Sequence, residues 1–276
     1  MELEILRNIQ SIANPFLDIL FQLITICGEQ MVLVLIISII YWVKDKKFGE
    51  YIAYAVLTSV LVNCVVKDIF KFKRPIGEEG IRTLREKTAT GYSFPSGHTQ
   101  GAGSFYGAMA IYIKKKVMYI IAIIMIILIG FSRLYLGVHY PKDVIVGGIL
   151  GVLISYICYN IYNKYENKIM VYTITFIIFL PALTFAHSED FIKGLGAYFG
   201  FLIGMFIEKR YVNFSVEGKG INKVIRVVIG VLILLCLQKG LKIVLPSEDI
   251  FSFIRYSIIS IFGIGIYPII FKKLKI

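Results

Sequence analysis

Nine apolar stretches, separated by short clusters of charge, constrain this chain more than any other feature. They fall near residues 31–43, 50–66, 98–113, 117–133, 143–163, 169–187, 191–207, 224–241 and 251–271. Most approach the ~17–25 residues that a membrane-crossing helix needs; the first is short and is expected to begin nearer Cys27. Inside hydrocarbon every backbone polar group has to be satisfied within the segment, so runs of this length imply helices. The expected fold class is therefore all-α, a polytopic transmembrane helix bundle. A hydrophobic share of 57% and a mean hydropathy of +0.76 agree, because soluble domains carry roughly 45–50% apolar residues. Gly147-Gly148-Ile149-Leu150-Gly151 offers a small-residue patch where another helix can approach closely. The four cysteines are widely spaced and read as small core residues, without a disulfide or metal role.

The net charge of +12 does not point to nucleic acid, because the basic residues border apolar runs instead of lining one soluble face. Lys44 to Lys47, Lys114 to Lys116, the stretch 208–226 and the tail Lys272 to Lys275 are expected on the cytoplasmic side. Alternating spans then place 67–97, 134–142 and 187–190 together on the other side. Loop 67–97 is itself basic, so its cations need a reason other than topology. Residues 1–30 lack the basic start and cleavage site of a signal peptide; 4–27 mix polar with apolar positions, which reads as an interfacial amphipathic helix, with a tenth span as the competing reading. Trp42 reads as an anchor at the membrane surface.

Three segments on the shared side carry chemistry. In the first, Lys67 and Arg74 are seven residues apart, so on a helix they share a face, and Pro75 ends the element. Two long cations can then converge on one anion. In the second, Ser93-Phe94-Pro95-Ser96-Gly97-His98-Thr99 opens an apolar run, with Pro95 suited to a helix start. The free N–H groups there attract anions, Ser96 adds a hydroxyl, and Gly97 lets the backbone approach a ligand. His98 sits at the mouth, where a proton can be delivered. In the third, Pro141 marks another helix start, with His139 just ahead of it and Asp143 in its first turn. That spacing lets the carboxylate fix the imidazole tautomer and aim the opposite nitrogen. Arg133 adds a planar fork of donors matched to phosphate oxygens. Several cations of loop 67–97 are thereby expected to be phosphate ligands.

Lys67-x6-Arg74-Pro75, Pro95-Ser96-Gly97-His98 and Ser132-Arg133-x5-His139-x3-Asp143 together resemble the tripartite signature of the type-2 phosphatidic acid phosphatase (PAP2) superfamily. The resemblance implies a six-helix core, mapped to 31–187, followed by about three accessory spans in 188–276. It implies a metal-independent lipid phosphatase that needs no cofactor. His139 would be the nucleophile, Asp143 its orienting partner and His98 the acid for the leaving oxygen. Lys67, Arg74, Ser96, Gly97 and Arg133 would hold the phosphoryl oxygens. The expected substrate is a lipid phosphate or diphosphate, such as undecaprenyl diphosphate, phosphatidylglycerophosphate, phosphatidate or a sphingoid-base phosphate. The expected place is the cytoplasmic membrane, with the site on its extracytoplasmic face and no nucleic-acid partner. A lipid phosphotransferase and a non-enzymatic anion transporter are the rival readings. The C-terminal helices are open to a homodimer contact, a lipid groove or a second function. The segment Ile76 to Phe94 is expected to shape access to the site, with Glu78, Glu79, Arg82, Arg85, Lys87 and Tyr92 as candidates for contact with the leaving group.

Overall fold

The computed structural model describes residues 1–274, so Lys275 of the basic tail lies outside the described residues. Among them there is no strand. Twelve α-helices follow in order: α1 Glu2–Gln10, α2 Pro15–Ile26, α3 Gln30–Ile39, α4 Lys46–Phe70, α5 Gly97–Ile113, α6 Lys116–Tyr135, α7 Pro141–Lys164, α8 Lys168–Phe179, α9 Glu189–Ile207, α10 Gly220–Val244, α11 Asp249–Ile261 and α12 Tyr267–Leu274.

Six segments are long and apolar enough to cross a membrane: α4, α6, α7, α9 with its π-helical extension to Val212, α10, and α11 continued through α12. The protein is an integral, polytopic membrane protein. Nine spans were expected, and three of those runs fall short. Gln30–Lys44 and Lys168–Thr184 are shorter apolar helices. α5 has 17 residues, and its Thr99, Gln100, Ser104 and glycines are packed inside the protein. The N-terminal stretch is two helices bent by 119° at residues 11–14. Asn14 stops the second from running back into the first, because its side chain accepts from Leu17 N–H and Pro15 follows at the first helical position.

The chain forms two compact units, residues 1–33 with 58–160, and residues 34–57 with 161–276. In the first unit, α5 and α7 are drawn together by the glycine patch seen in the sequence. A Cβ at Gly151 would lie 2.3 Å from the Gln100 carbonyl, and one at Gly103 only 2.7 Å from the Gly148 carbonyl. Only backbones without side chains approach this closely. The contact has a direct consequence for the helix starts, since the Ser96 N–H donates to the Asp143 carbonyl at 2.9 Å.

In the second unit, α9 and α11 pack by the same device, with Gly196 and Gly200 against the backbones of Phe253 and Ser257. Trp42 lies in a π-helical turn, Ile40–Lys44. It is not a membrane-surface anchor: it is 1% exposed, and its indole N–H donates to the Gly263 carbonyl at 2.9 Å. A buried indole N–H needs an acceptor, and the π-helical turn Phe262–Ile266 contains one.

Candidate active site

α4 stops at Phe70, earlier than Pro75 would require. The last helical bond runs from Lys71 N–H to the Lys67 carbonyl, and Lys71 itself is left-handed with φ 51°. Lys67 and Arg74 consequently do not share a helix face. A turn brings them together instead, and both reach the carbonyls of segment 90–92. Lys67 Nζ donates to Tyr92 O at 2.7 Å. Arg74 Nε donates to Gly91 O at 3.0 Å and Nη2 to Thr90 O at 2.6 Å.

α5 starts at Gly97, two residues after Pro95, with Ser96 as its N-cap. The Ser96 hydroxyl accepts from Thr99 N–H at 3.4 Å and from the Thr99 hydroxyl at 3.0 Å, so its own proton is left to donate outward. Asn63 of α4 steadies the turn before the helix, donating to Pro95 O at 3.2 Å and to Gln100 Oε1 at 2.8 Å. His98 sits in the first turn of α5, and its Nε2 is buried with no hydrogen-bond partner among the described residues.

α7 starts at Pro141 as the sequence indicates, leaving His139 in the preceding loop. His139 is 1% exposed and Asp143 is fully buried. His139 Nδ1 faces Asp143 Oδ2 at 3.2 Å, while Nε2 accepts from Arg74 Nη1 at 2.9 Å. A guanidinium always donates, so Nε2 carries the lone pair and Nδ1 the hydrogen. Asp143 Oδ2 also accepts from the Ser93 hydroxyl at 2.5 Å and from Tyr140 N–H at 2.9 Å. These donors keep the carboxylate aimed at the imidazole. Burial pushes His139 well below its usual pKa of 6.5, and the cations of Arg74, Arg133 and Lys67 push the same way.

Arg133, in the last turn of α6, is fully buried. Its Nη1 donates to the Thr25 hydroxyl at 3.0 Å, and its Nε and Nη2 have no partner among the described residues. Burying a guanidinium with two idle donors is costly unless an anion satisfies them. A cavity of 390 Å³ opens beside Arg74, lined by Phe72, Lys73, Ile76, Gly91 and Tyr92 as well.

The structure thus gathers Lys67, Arg74, Ser96, Gly97, His98, Arg133, His139 and Asp143 into the first unit. Three partners carried no signal in the sequence. Ser93 was only a flanking residue, Asn63 sat in an apolar run, and Thr25 lay in a segment read as interfacial. The loop cations also divide. Arg82 forks onto Asp18 with two bonds of 2.7 Å, and Arg85 pairs with Glu29. Both were candidates for contact with the leaving group, and in this arrangement their guanidinium groups are engaged by carboxylates of the N-terminal segment.

Comparison with known proteins gives two family matches. Residues 49–167 match the family described as the PAP2 superfamily, and residues 192–276 match its transmembrane extension, described as PAP2 superfamily phosphatase, transmembrane extension. An undecaprenyl-diphosphatase of Sulfolobus acidocaldarius is 33% identical over 119 residues, covering 43% of this chain and 57% of that protein. Phosphatidylglycerophosphatase B of Bacillus subtilis is 31% identical over 159 residues, covering 53% and 75% respectively. The chain spans between about half and three quarters of the length of these relatives. The crystal structure of a transmembrane PAP2-type phosphatidylglycerolphosphate phosphatase from Bacillus subtilis superposes with a TM-score of 0.51 at 28% identity, over 59% of this chain and 85% of that one.

Proposed function

Because the chain belongs to the PAP2 superfamily, we propose that it hydrolyses a lipid phosphate monoester or diphosphate at the site around His139, through a phosphohistidine. The observation that carries this reading is the posture of His139. Its Nδ1 is held by Asp143, its Nε2 lone pair is directed at Arg74, and its imidazole is kept neutral by burial. That is the form a nitrogen nucleophile requires.

The steps follow from these positions. Phosphoryl oxygens draw Arg74 from Nε2 and engage Arg133, Lys67, the Ser96 hydroxyl and the Gly97 N–H. Nε2 attacks phosphorus as the bond to the leaving oxygen breaks, and His98 gives that oxygen its proton. A P–N bond has replaced a P–O bond. Asp143 stabilises the cationic imidazole that results. Water then attacks phosphorus, its proton passes to His98, and the P–N bond breaks to release phosphate and restore His139. The reaction demands little covalent chemistry beyond this, so three cations and two helix starts placed around the equatorial oxygens supply most of the stabilisation.

A lipid rather than a soluble substrate is favoured by the surroundings. Phe70, Phe72 and Phe94 form a ring cluster with centroids 5.2–5.6 Å apart, and Phe72 also lines the cavity beside Arg74. Phe70 and Phe72 are half exposed, on the same turn that delivers Arg74. This apolar rim suits a tail whose headgroup reaches the cations. The names of the relatives make undecaprenyl diphosphate and phosphatidylglycerophosphate the first substrates to try. The proposed place is the cytoplasmic membrane, with the site on its extracytoplasmic face, on the distribution of basic loops.

The test is phosphate release by the purified protein in detergent from a panel of lipid mono- and diphosphates, with His139→Ala as control. Release by the parent protein and not by the variant is expected. Equal release by both removes His139 as nucleophile.

A further inference from the structure

The N-terminal helices lie outside both matched family segments, which begin at residue 49 and residue 192. Yet they touch the site's framework at several points. Thr25 of α2 is fully buried and supplies the hydroxyl that accepts from Arg133 Nη1 at 3.0 Å. No other hydrogen bond to the Arg133 guanidinium comes from the described residues, since Nε and Nη2 are without partners. The rotamer of a long, buried cation is therefore tied to one hydroxyl.

A second tie acts on the loop. The Gln10 side chain pairs with the Arg82 backbone in both directions, donating to its carbonyl at 2.7 Å and accepting from its N–H at 2.9 Å. Asp18 holds the Arg82 guanidinium with a two-pronged bond and also accepts from the Tyr135 hydroxyl at 2.7 Å. Apolar packing closes the same join, with the Phe21 and Tyr135 rings 4.5 Å apart. Further along this loop, the carbonyls of Thr90, Gly91 and Tyr92 hold Lys67 and Arg74. Of the polar residues that make the segment read as interfacial, Gln10 and Asp18 thus have loop and site residues as partners, whereas Asn14 and Gln22 bond within the segment.

We propose that α1 and α2 are part of the catalytic framework. Thr25 is a positioning residue that sets the Arg133 guanidinium for the phosphoryl group, and Gln10 with Asp18 hold the loop that fixes Lys67 and Arg74. The proposal rests on the phosphate-site reading above. Errors of about 1 Å in the placement of such groups cost up to about a hundredfold in rate, so a single hydroxyl can have a measurable effect.

Orthovanadate, an inorganic phosphate analogue, probes the site without knowledge of the lipid. In the full-length protein, Thr25→Val is expected to weaken vanadate affinity and lower kcat/KM about tenfold, at an unchanged thermal midpoint. Thr25→Ser, which keeps the hydroxyl, is expected to stay within about twofold of the parent. On an Arg133→Lys background, Thr25→Val is expected to add little, because the group it positions has gone. Parental affinity in Thr25→Val, a loss in Thr25→Ser as large as in Thr25→Val, or fully additive losses would each overturn the role of Thr25. Should Thr25→Val fail to fold, Asp18→Asn carries the test: an affinity loss of about threefold supports the framework, and parental affinity overturns it. His139→Ala separates the two layers. If it turns over substrate normally the phosphatase reading fails, whereas a dead His139→Ala beside a parental Thr25→Val sinks only this inference.

Discussion

Around His139, the hydrogen bonds made by Arg74, Arg133 and Lys67 run to carbonyls, an imidazole and a hydroxyl. In the second unit, Lys46 and Lys209 each meet a buried carboxylate. Lys46 Nζ lies 2.5 Å from Glu208, which is fully buried, and Lys209 Nζ lies 2.5 Å from Glu50, which is 3% exposed. Tyr172 donates to Glu50 at 2.7 Å, and the Phe214 N–H donates to Glu208 at 3.2 Å. Both clusters bury charge among helices that read as membrane spans. The second is matched cation to anion, whereas Arg133 keeps two idle donors. A matched cluster contributes to the fold, and breaking a buried pair by removing one partner typically costs about 3–5 kcal/mol. A buried guanidinium with idle donors, as at Arg133, has capacity left for an anion from outside. On the proposed reading, this difference is the one between a structural network and a phosphate site.

The sharpest way to break this contrast is at His139, the proposed nucleophile. His139→Ala is expected to lower turnover on the order of 10⁴-fold or more, measured as phosphate release, at a thermal midpoint close to the parent's. Arg133→Ala comes next, with an expected loss of about 10²–10³-fold in kcat, comparable to removing one donor to a developing oxyanion. Glu208→Gln is the counterpart in the second unit. It is expected to lower the thermal midpoint while leaving the kcat of folded protein within about threefold of the parent. A Glu208→Gln protein of parental stability and crippled turnover would merge the two clusters into one functional network.

A pH profile gives a smaller effect of known sign. On the proposed mechanism His139 must be neutral to attack, and burial with three nearby cations depresses its pKa. The acid limb of kcat/KM is therefore expected below pH 6.5. An acid limb above 6.5 that His98→Gln leaves in place would contradict the neutral, buried nucleophile. The same shift acts on stability. Below the ordinary pKa of 6.5 the unfolded chain takes up a proton that the folded chain refuses, so this group favours unfolding as the pH falls. The smallest expected loss, about tenfold in kcat, belongs to Ser93→Ala, which removes one of the three donors on Asp143 Oδ2 and leaves Tyr140 N–H and His139 Nδ1–H in place.

Much of the site was legible because its residues sit where local chemistry leaves a mark. Pro141 announces the start of α7, and His139 and Asp143 meet across it by simple spacing. Ser96-Gly97-His98 reads as a helix start for the same reason, although the helix begins two residues beyond Pro95. Other features were misread where a tertiary choice overrode a local one. Lys67 and Arg74 looked like neighbours on a helix, but the left-handed turn at Lys71 ends α4 first and brings them together by another path. Trp42 looked like a surface anchor because aromatic residues collect at membrane boundaries, and only packing shows that its indole is enclosed.

The sequence by itself determined the membrane setting, the all-helical class, the glycine patch of α7, and the identity of the histidines and cations. Each of these follows from residue type and short-range spacing, which act before any distant contact forms. The tertiary structure alone decided how those groups are held. Thr25 meets Arg133 across 108 residues, Asp18 meets Arg82 across 64, and Ser93 meets Asp143 across 50. A hydrogen bond between residues so far apart leaves no period or motif along the chain. It depends on which helices the apolar packing brings side by side, and that is settled only when the whole unit has folded.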